Sequence, residues 1–315
     1  MSGRVLVTGG AGFIGSHVCD AYLARGWSVT ALDDLSTGRR ENLSPEVRLV
    51  EMDIRDPQLS DLFGRERFDV INHHAAQIDV RVSVAEPRLD ASINLDGLLN
   101  VLERAVEHGV ERFVFISSGG VVYGEPTDLP APRDAPKRPL SPYGVSKLAS
   151  EHYLYAFRKL HGLEYVALRY ANVYGPRQDP HGEAGVVAIF SQRLHSGEPL
   201  RIYGDGEQTR DYVFVRDVAE ANMLATQADL PDPEGLDDVA FNVGTGEETS
   251  VNELARLLIE VSGEPVPVEH AAARPGELRR SALACTETAS IGWRPSHSLR
   301  DGLAETYASI VGRVA

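Results

Sequence analysis

The hydrophobic pattern of the first 170 residues alternates between two kinds of segment. Short, continuous apolar runs, typical of buried strands, are separated by longer segments in which apolar residues recur every three or four positions, as on one face of a helix. Continuous apolar strands that alternate with helices indicate a doubly wound α/β fold, in which a parallel sheet is covered on both faces. The predicted strands are residues 4–8, 27–33, 47–52, 68–72, 112–118 and 165–170, and the predicted helices are residues 13–25, 89–108 and 141–160.

The pattern becomes less regular after residue 170, where a loop rich in glycine and proline begins. Ser250 is a candidate N-cap for the last helix of this half, because its hydroxyl can accept from a free backbone N–H. The segments predict a smaller, irregular α/β unit. Its predicted helices are residues 186–196, 216–227 and 251–262, and its predicted strands are residues 200–203, 212–215 and 241–243.

Composition excludes several classes of protein. The 315 residues carry a formal charge of −15, with 46 acidic and 31 basic side chains, which disfavours a nucleic-acid-binding surface. No apolar run is long enough to span a membrane, and the N-terminus runs into a strand pattern without a signal peptide. The only cysteines, Cys19 and Cys285, are far apart, so no disulfide framework and no metal site is expected. A reducing cytoplasm is the expected location.

A glycine cluster stands between the first strand and the first helix. Gly9, Gly12 and Gly15 permit a tight turn, a close approach of phosphate to the backbone, and packing of the helix on the strand. Asp33 ends the second strand at about the 20-residue distance expected for a ribose ligand. A plain glycine turn is the alternative, but this context favours a dinucleotide. A carboxylate at this position favours NAD over NADP, because it would repel a 2′-phosphate.

Tyr143 and Lys147 lie one helical turn apart, so their side chains share one face of the predicted helix. An ammonium group beside a phenol favours the phenolate and lowers its pKa from about 10 toward neutrality. Tyr143 is therefore a candidate general base for a sugar or alcohol hydroxyl. A solvated surface pair is the alternative. The glycine cluster upstream, and a strand that ends at Ser117 and Ser118, favour catalysis.

A series of motifs in fixed order resembles the extended short-chain dehydrogenase/reductases, and among them the NAD-dependent nucleotide-sugar epimerases and dehydratases. The best match is to members that epimerise UDP-glucose at C4. The resemblance covers nearly the whole chain. The motifs are Thr8-Gly9-Gly10-Ala11-Gly12-Phe13-Ile14-Gly15, Asp53-Ile54, His74-Ala75-Ala76, Tyr143 with Lys147, Arg169-Tyr170-Ala171-Asn172-Val173-Tyr174-Gly175-Pro176, Arg210-Asp211-Tyr212 and Arg274-Pro275-Gly276-Glu277.

The resemblance implies a Rossmann domain for NAD over residues 1–172, to which segments near 212–243 return, and a unit over 173–315 that mainly binds the nucleotide sugar. The arginines of the second unit would bind the pyrophosphate, and Glu277 would lie near the uridine ribose. The implied NAD contacts are Gly9, Gly12, Phe13, Ile14, Gly15, Asp33, Asp53, Ile54, Ala75, Ala76, Gln77, Asn94, Ser117, Tyr143, Lys147 and Tyr170. The implied UDP-sugar contacts are Asn172, Val186, Tyr203, Arg210, Arg274, Glu277 and Ser281.

The chain departs from the family pattern at its catalytic hydroxyl. Counted back from Tyr123, the serine or threonine of the family falls on Gly119; counted forward to Tyr143, it falls on Ser118. Either Ser118 reaches the sugar hydroxyl, or a water replaces the missing side chain. Ile78 stands where relatives can carry lysine. Ser281 stands at the position that gates the sugar pocket, and a small residue there leaves room for a 2-acetamido group.

The expected activity is reversible C4 epimerisation of a UDP-hexose through a 4-keto intermediate, with the hydride held on NAD, and with Tyr143, Lys147 and Ser118 as catalytic residues. A 4,6-dehydratase is disfavoured, because Gly119 and Gly120 replace its acid pair. A uronic-acid epimerase or decarboxylase needs a cation, for which Arg81 is the candidate. A catalytically silent NAD-binding regulator is the alternative from another class. The family resemblance also implies a homodimer through helices 89–108 and 141–160, although core packing explains their apolar faces equally well.

Overall fold

The computed structural model describes residues 3–180, 185–273 and 278–312. No helix in these ranges is both long and apolar enough to span a membrane. The strands are β1 (Arg4–Thr8), β2 (Ser28–Asp33), β3 (Arg48–Glu51), β4 (Val70–His73), β5 (Arg112–Ser118), β6 (Glu164–Tyr170), β7 (Asn172–Tyr174), β8 (Leu200–Tyr203), β9 (Thr209–Arg210), β10 (Tyr212–Phe214), β11 (Ala240–Val243), β12 (Thr249–Ser250) and β13 (Val268–Ala271). The helices are α1 (Phe13–Leu23), α2 (Leu59–Arg65), α3 (Val80–Ala85), α4 (Pro87–Ala91), α5 (Gly97–Glu107), α6 (Gly119–Val122), α7 (Pro142–His161), α8 (Val186–His195), α9 (Val215–Gln227), α10 (Val251–Ser262) and α11 (Leu299–Ile310).

Seven parallel strands form the central sheet, in the order β3-β2-β1-β4-β5-β6-β11. Apolar cores lie on both faces of this sheet, which is why its strands read as continuous apolar runs. The predicted doubly wound α/β fold is confirmed. The strand order reverses between β1 and β4, and ligands of such sheets bind in the crevice at the carboxyl ends of the strands at this point.

The second half of the chain has a core of its own, in which α8, α10 and α11 pack around β8 and β10. Three two-stranded sheets complete this unit: β10 with β7, β12 with β9, and β13 with β8. Two later elements belong to the first unit. Helix α9 packs on α1, and β11 extends the central sheet beside β6.

Most predicted elements are confirmed within a few residues, and local capping explains several ends. The Ser250 Oγ accepts from the Glu253 N–H at 3.1 Å and begins α10, as predicted. Gly162, with φ +75°, ends α7. The predicted helix 89–108 instead begins at Pro87, because proline suits the first turn of a helix, and it contains a π-helical turn over Ser92–Asp96. The sequence pattern did not indicate α2, α3, α6, α11, β9, β12 or β13. The segment after residue 170, predicted to be a loop, begins with the short strand β7, which pairs with β10.

Candidate active site

The loop between β1 and α1 is built from glycines that let three backbone segments meet. Gly9 has a left-handed φ of +65°, and a Cβ on it would lie 2.7 Å from the Ala75 nitrogen. A Cβ on Gly15 would lie 2.2 Å from the Gly9 oxygen. Helix α1 begins at Phe13 after Gly12, which supplies no side-chain cap, so the first N–H groups of the helix suit a phosphate. This cradle fits the pyrophosphate of a dinucleotide.

Asp33, at the carboxyl end of β2, is held against this cradle. Its Oδ2 accepts from the Ala11 N–H at 2.9 Å and its Oδ1 accepts from the Leu35 N–H at 2.9 Å. Burial raises the pKa of Asp33. A Cβ on Gly38 would lie 2.5 Å from Oδ1, so the following loop folds closely over the carboxylate. The carboxylate therefore has a fixed position beside the glycine loop, where the ribose contact was predicted.

Asp53 and Ile54, which follow β3, have partners within the protein. The Arg55 Nε donates to the Asp53 Oδ1 at 3.0 Å and lowers the pKa of that carboxyl. Ile54 is buried against Gly97, where a Cβ would lie 2.5 Å from the Ile54 Cδ1. Contact of these two residues with the cofactor stays a prediction.

The loop after β4, which contains Ala75 and Ala76, is tied to the π-helical turn. The Gln77 N–H donates to the Asn94 Oδ1 at 2.9 Å, and the Asn94 Nδ2 donates back to the Gln77 oxygen at 2.9 Å. Because Gly9 also lies against Ala75, this loop and the glycine cradle form one continuous edge of the crevice. The structure therefore brings most of the predicted NAD contacts to the carboxyl edge of β1, β2 and β4.

Tyr143 and Lys147 lie in the first two turns of α7, and both are buried. The Lys147 Nζ donates to the Ile116 oxygen of β5 at 2.8 Å, which fixes the ammonium beside the sheet. The same nitrogen lies 5.8 Å from the centre of the Tyr143 ring and 5.0 Å from that of Phe115. Burial lowers the pKa of Lys147 to about 8, against the charges of Asp90 and Glu151. This geometry suits a phenol that acts as an acid and base.

Two other residues predicted to contact NAD, Ser117 and Tyr170, have hydroxyls that hydrogen-bond to other side chains of the protein. The Ser117 Oγ donates to the Glu151 Oε1 at 2.6 Å. The Tyr170 hydroxyl accepts from the Asn222 Nδ2 at 2.5 Å, in the core beneath α9. Ser118, in contrast, is half-buried at the end of β5, in register with Tyr170. Of the two serines, Ser118 is the better candidate for the catalytic hydroxyl.

The space beside Gly119 is filled by a leucine. A Cβ on Gly119 would lie 2.4 Å from the Leu283 Cδ1 and 2.8 Å from its Cδ2. Leu283 is buried, and its backbone pairs with Ala131. Its N–H donates to the Asp211 Oδ2 at 3.2 Å, so the leucine is held firmly. A side-chain hydroxyl at position 119 is therefore incompatible with Leu283 as it is placed here.

We expect Gly119→Ser to lower the free energy of unfolding by about 1–3 kcal/mol, because the added side chain overpacks against Leu283. Adding Leu283→Ala should relieve the clash, so that the double variant is more stable than the sum of the two single changes predicts. Urea unfolding of the four proteins measures this coupling.

Gly120→Ser is the matched control. A Cβ on Gly120 has its nearest neighbour, the Ser118 Oγ, at 3.9 Å, and this is an ordinary contact. Strict additivity of Gly119→Ser and Leu283→Ala would contradict the packing argument.

A cavity of about 680 Å³ lies between α8, β8 and β9. It brings together four of the residues predicted to contact the UDP-sugar, Asn172, Val186, Tyr203 and Arg210. Asn172 comes two residues after Tyr170, which is in register with Ser118, so the cavity begins at the edge of the sheet where β5 ends.

Sequence reasoning missed other residues that line this cavity, among them Arg193, Arg201, Gln178 and Gln208. The lining has three arginines, counting Arg210, against one acid, Glu198, so its net charge is positive and suits a diphosphate. No motif marks Arg193 or Arg201, because in a chain rich in arginine only their place in the fold distinguishes them.

Two predicted substrate contacts, Arg274 and Glu277, lie outside the described residues. Ser281 is half-buried, two residues before Leu283. The nearby Asp211 is buried, and it accepts from Thr245 and Gly246 as well as from Leu283. Burial raises the pKa of Asp211. The carboxylate therefore anchors the segment that carries Ser281 and Leu283 beside Arg210.

Comparison with known proteins identifies the family of the chain. Residues 5–244 match the model of the NAD dependent epimerase/dehydratase family. The UDP-glucose 4-epimerase of Mycolicibacterium smegmatis is 47% identical over 309 residues, which are 96% of this chain and 97% of that protein.

Two crystal structures share the fold over nearly their whole length. One is the UDP-glucose 4-epimerase of Thermotoga maritima with UDP-glucose, at 44% identity and a TM-score of 0.93, with 98% of this chain and 99% of that chain covered. The other is the UDP-glucose 4-epimerase of Thermus thermophilus in complex with NAD, at 46% identity and a TM-score of 0.92, with 99% and 100% covered. The glycine cradle, the tyrosine–lysine pair and these matches together show that the chain belongs to the NAD dependent epimerase/dehydratase family.

Proposed function

We propose that the protein interconverts UDP-glucose and UDP-galactose by reversible epimerisation at C4, with NAD as its resident cofactor. The observation that carries the proposal is the buried pair of Tyr143 and Lys147 at the carboxyl edge of the sheet, beside a glycine cradle that fits a dinucleotide. Relatives that match this chain over nearly their whole length are named UDP-glucose 4-epimerases.

Tyr143 removes the proton from the sugar 4-hydroxyl and later returns it. Lys147, held by the Ile116 carbonyl, stabilises the phenolate by its charge. Bound NAD supplies the acceptor and donor of hydride for C4. The glycine cradle orients the dinucleotide, and Asp33 selects a free ribose 2′-hydroxyl. Ser118 contacts the same sugar hydroxyl, and Arg210 and its neighbours hold the diphosphate.

Among the described residues, this site does not present the side chains that the two alternative activities need. Gly119 is packed against Leu283, so no acid of the kind that a 4,6-dehydratase needs stands there. Arg81, the candidate cation for a uronic acid, has a side chain that is 78% exposed and pairs with Asp79 at 3.0 Å. It therefore belongs to the surface rather than to a sugar pocket.

We also propose activity on the N-acetylated pair. Ser281 is small, and it lies in the segment that Asp211 holds through the Leu283 N–H, with Leu283 packed against Gly119. A small side chain at that position leaves room for a 2-acetamido group.

Product analysis of the purified protein tests both proposals. With UDP-galactose we expect UDP-glucose, without added cofactor, and with UDP-N-acetylglucosamine we expect the galacto epimer. The products are separated by anion-exchange chromatography after acid hydrolysis to the free sugars. Conversion of UDP-glucuronate alone, or no conversion of any UDP-hexose, would contradict the proposed function.

We propose that the enzyme is a cytoplasmic homodimer. Both cysteines are free thiols, which suits a reducing compartment. Helices α3 and α4 pack against α7, and exposed apolar side chains line the outer faces of all three. Exposed apolar side chains in one area mark an interface, and the family resemblance assigns it to a second copy of the chain. This dimer patch consists of Ile78, Val80, Val84, Leu89, Val145 and Tyr153.

We expect the double variant Val84→Asp and Val145→Asp to convert the dimer to a monomer, because it would bury four charges across a symmetric interface. Size-exclusion chromatography with light scattering measures the mass. Val268→Asp, in β13, is the control, since Val268 is an exposed apolar residue outside the dimer patch. A mass that is unchanged in the double variant would contradict the assignment.

A further inference from the structure

A buried carboxylate accepts a hydrogen bond from Ser146, the residue before Lys147, and has no part in the mechanism above. Asp90, in α4, is completely buried. Its Oδ2 accepts from the Ser146 Oγ at 2.5 Å. Its Oδ1 accepts from the Asn94 Nδ2 at 3.0 Å and from the Gln77 Nε2 at 3.0 Å. All three donors are neutral, although a buried carboxylate is costly unless a cation accompanies it.

The partners of Asp90 belong to the two sides of the cofactor crevice. Gln77 lies in the loop after β4 and Asn94 lies in the π-helical turn, both at the edge of the crevice. Ser146 immediately precedes Lys147 on α7. The Ser150 Oγ, one turn further along α7, donates to the Asn94 oxygen at 3.4 Å and to the Ser146 oxygen at 2.8 Å. The Asp90 carboxylate therefore lies where the loop after β4 meets α7.

The charges around Lys147 can be enumerated over the elements that pack on it. His73, the last residue of β4, and His74, which follows it, are neutral near pH 7, because burial lowers the pKa of both, that of His74 to about 3. Glu151, on α7 itself, is paired with the Arg169 guanidinium of β6 at 2.6 Å. Tyr143 is the reacting phenol. Asp90 raises the pKa of Lys147 more than Glu151 does, which agrees with this placement.

We propose that Asp90 is a positioning residue for the epimerase reaction, whose negative charge keeps Lys147 protonated beside Tyr143. The expected effect on catalysis rests on the proposed function, whereas the effect of Asp90 on Lys147 does not. An amide could accept from Gln77 and Asn94 through its one oxygen and donate to the Ser146 hydroxyl, at a smaller cost of burial. The carboxylate at this position therefore points to its charge. The buried ammonium in turn supplies the counter-charge that Asp90 does not find among its hydrogen-bond donors.

The test is the titration of Lys147 in the full-length holoenzyme by NMR with lysine labelled with ¹³C at Cε. The chain has only three lysines, Lys137, Lys147 and Lys159, so the signals are easily assigned. In Asp90→Asn we expect the midpoint of Lys147 to fall by about one pH unit, and the alkaline limb of kcat/KM to move by the same amount. At pH 8 the protonated fraction of Lys147 would fall from about one half to about one eleventh, so we expect a loss of kcat/KM of about fivefold, with NAD content unchanged.

Ser146→Ala is the matched control, because it removes a neutral donor and keeps the charge. We expect the Lys147 midpoint to stay within about 0.3 pH unit of wild type and kcat to stay within about threefold. If Asp90→Asn does not fold, Ser146→Ala still tests the inference. A shift of about one pH unit in the Lys147 midpoint of that variant would show that the Ser146 hydroxyl, and not the charge of Asp90, sets the protonation of Lys147.

An unchanged Lys147 midpoint in folded Asp90→Asn would overturn the inference. The NMR readout needs no turnover. A protein that fails to epimerise UDP-hexoses but shows the shift would refute the proposed function and leave the pairing of Asp90 with Lys147 intact.

Discussion

Replacing Tyr143 by phenylalanine is expected to lower kcat for the conversion of UDP-galactose to UDP-glucose by about 10³-fold, the effect of removing a general acid–base group. The hydroxyl is the only part lost, and the ring keeps its place over the Lys147 ammonium at 5.8 Å. KM should change little, because the cavity that holds the diphosphate is formed by other elements. A coupled assay that reports UDP-glucose measures both constants.

Tyr155→Phe is the matched control for this change. Tyr155 lies on the same helix, and its hydroxyl donates to the Glu234 oxygen at 3.0 Å at the protein surface. It should keep wild-type kcat. Both variants should bind the same amount of NAD, measured after acid release, and should keep the far-UV spectrum of the wild type. Full turnover in Tyr143→Phe would show that another group moves the proton.

The second large effect concerns a buried ion pair between α7 and β6. Arg169 and Glu151 form a bidentate pair, with Nε to Oε1 at 3.0 Å and Nη2 to Oε2 at 2.6 Å, and both are buried. The remaining Arg169 nitrogen donates to the Tyr123 hydroxyl at 3.0 Å and to the Asp237 Oδ1 at 2.8 Å. Glu151→Leu should lower the free energy of unfolding by about 3–5 kcal/mol, because it leaves a buried guanidinium short of its partner.

The double variant Glu151→Leu with Arg169→Met should lose less stability than the two single losses added together, since it leaves no unpaired charge. Urea unfolding measures all three variants. Arg25→Met removes a surface pair with Glu220 and should cost less than about 1 kcal/mol. Equal losses in Arg25→Met and Glu151→Leu would refute the argument from burial.

Local signals carried most of the fold. Strand β5 follows the predicted bounds, the Ser250 hydroxyl caps the start of α10, and Gly162 ends α7 because glycine readily adopts a positive φ. Helix α11 escaped prediction for a tertiary reason. It contains Gly302, a poor helix former, which is required because a Cβ there would lie 2.2 Å from the Tyr174 hydroxyl oxygen. A glycine chosen for packing thus weakens the local pattern that would reveal the helix.

The candidate site divides in the same way. Tyr143 and Lys147 were identifiable because their spacing matches one helical turn, and Glu151 continues that spacing by another turn. The partner of Glu151 could not be identified from the sequence, since Arg169 belongs to β6, which lies against α7 only in the folded protein. The same holds for Asp90, whose contact with Ser146 joins two helices.

By itself, the sequence determined the parallel sheet, the glycine cradle with Asp33, and the tyrosine–lysine pair, because each depends on residues that are close along the chain and obey a helix or strand period. Only the tertiary structure decided that Leu283 occupies the space beside Gly119, that the arginines of α8 and β8 line one cavity, and that Asp90 lies next to the catalytic helix. These contacts join segments far apart in the chain, and packing, rather than any local preference of the backbone, selects them.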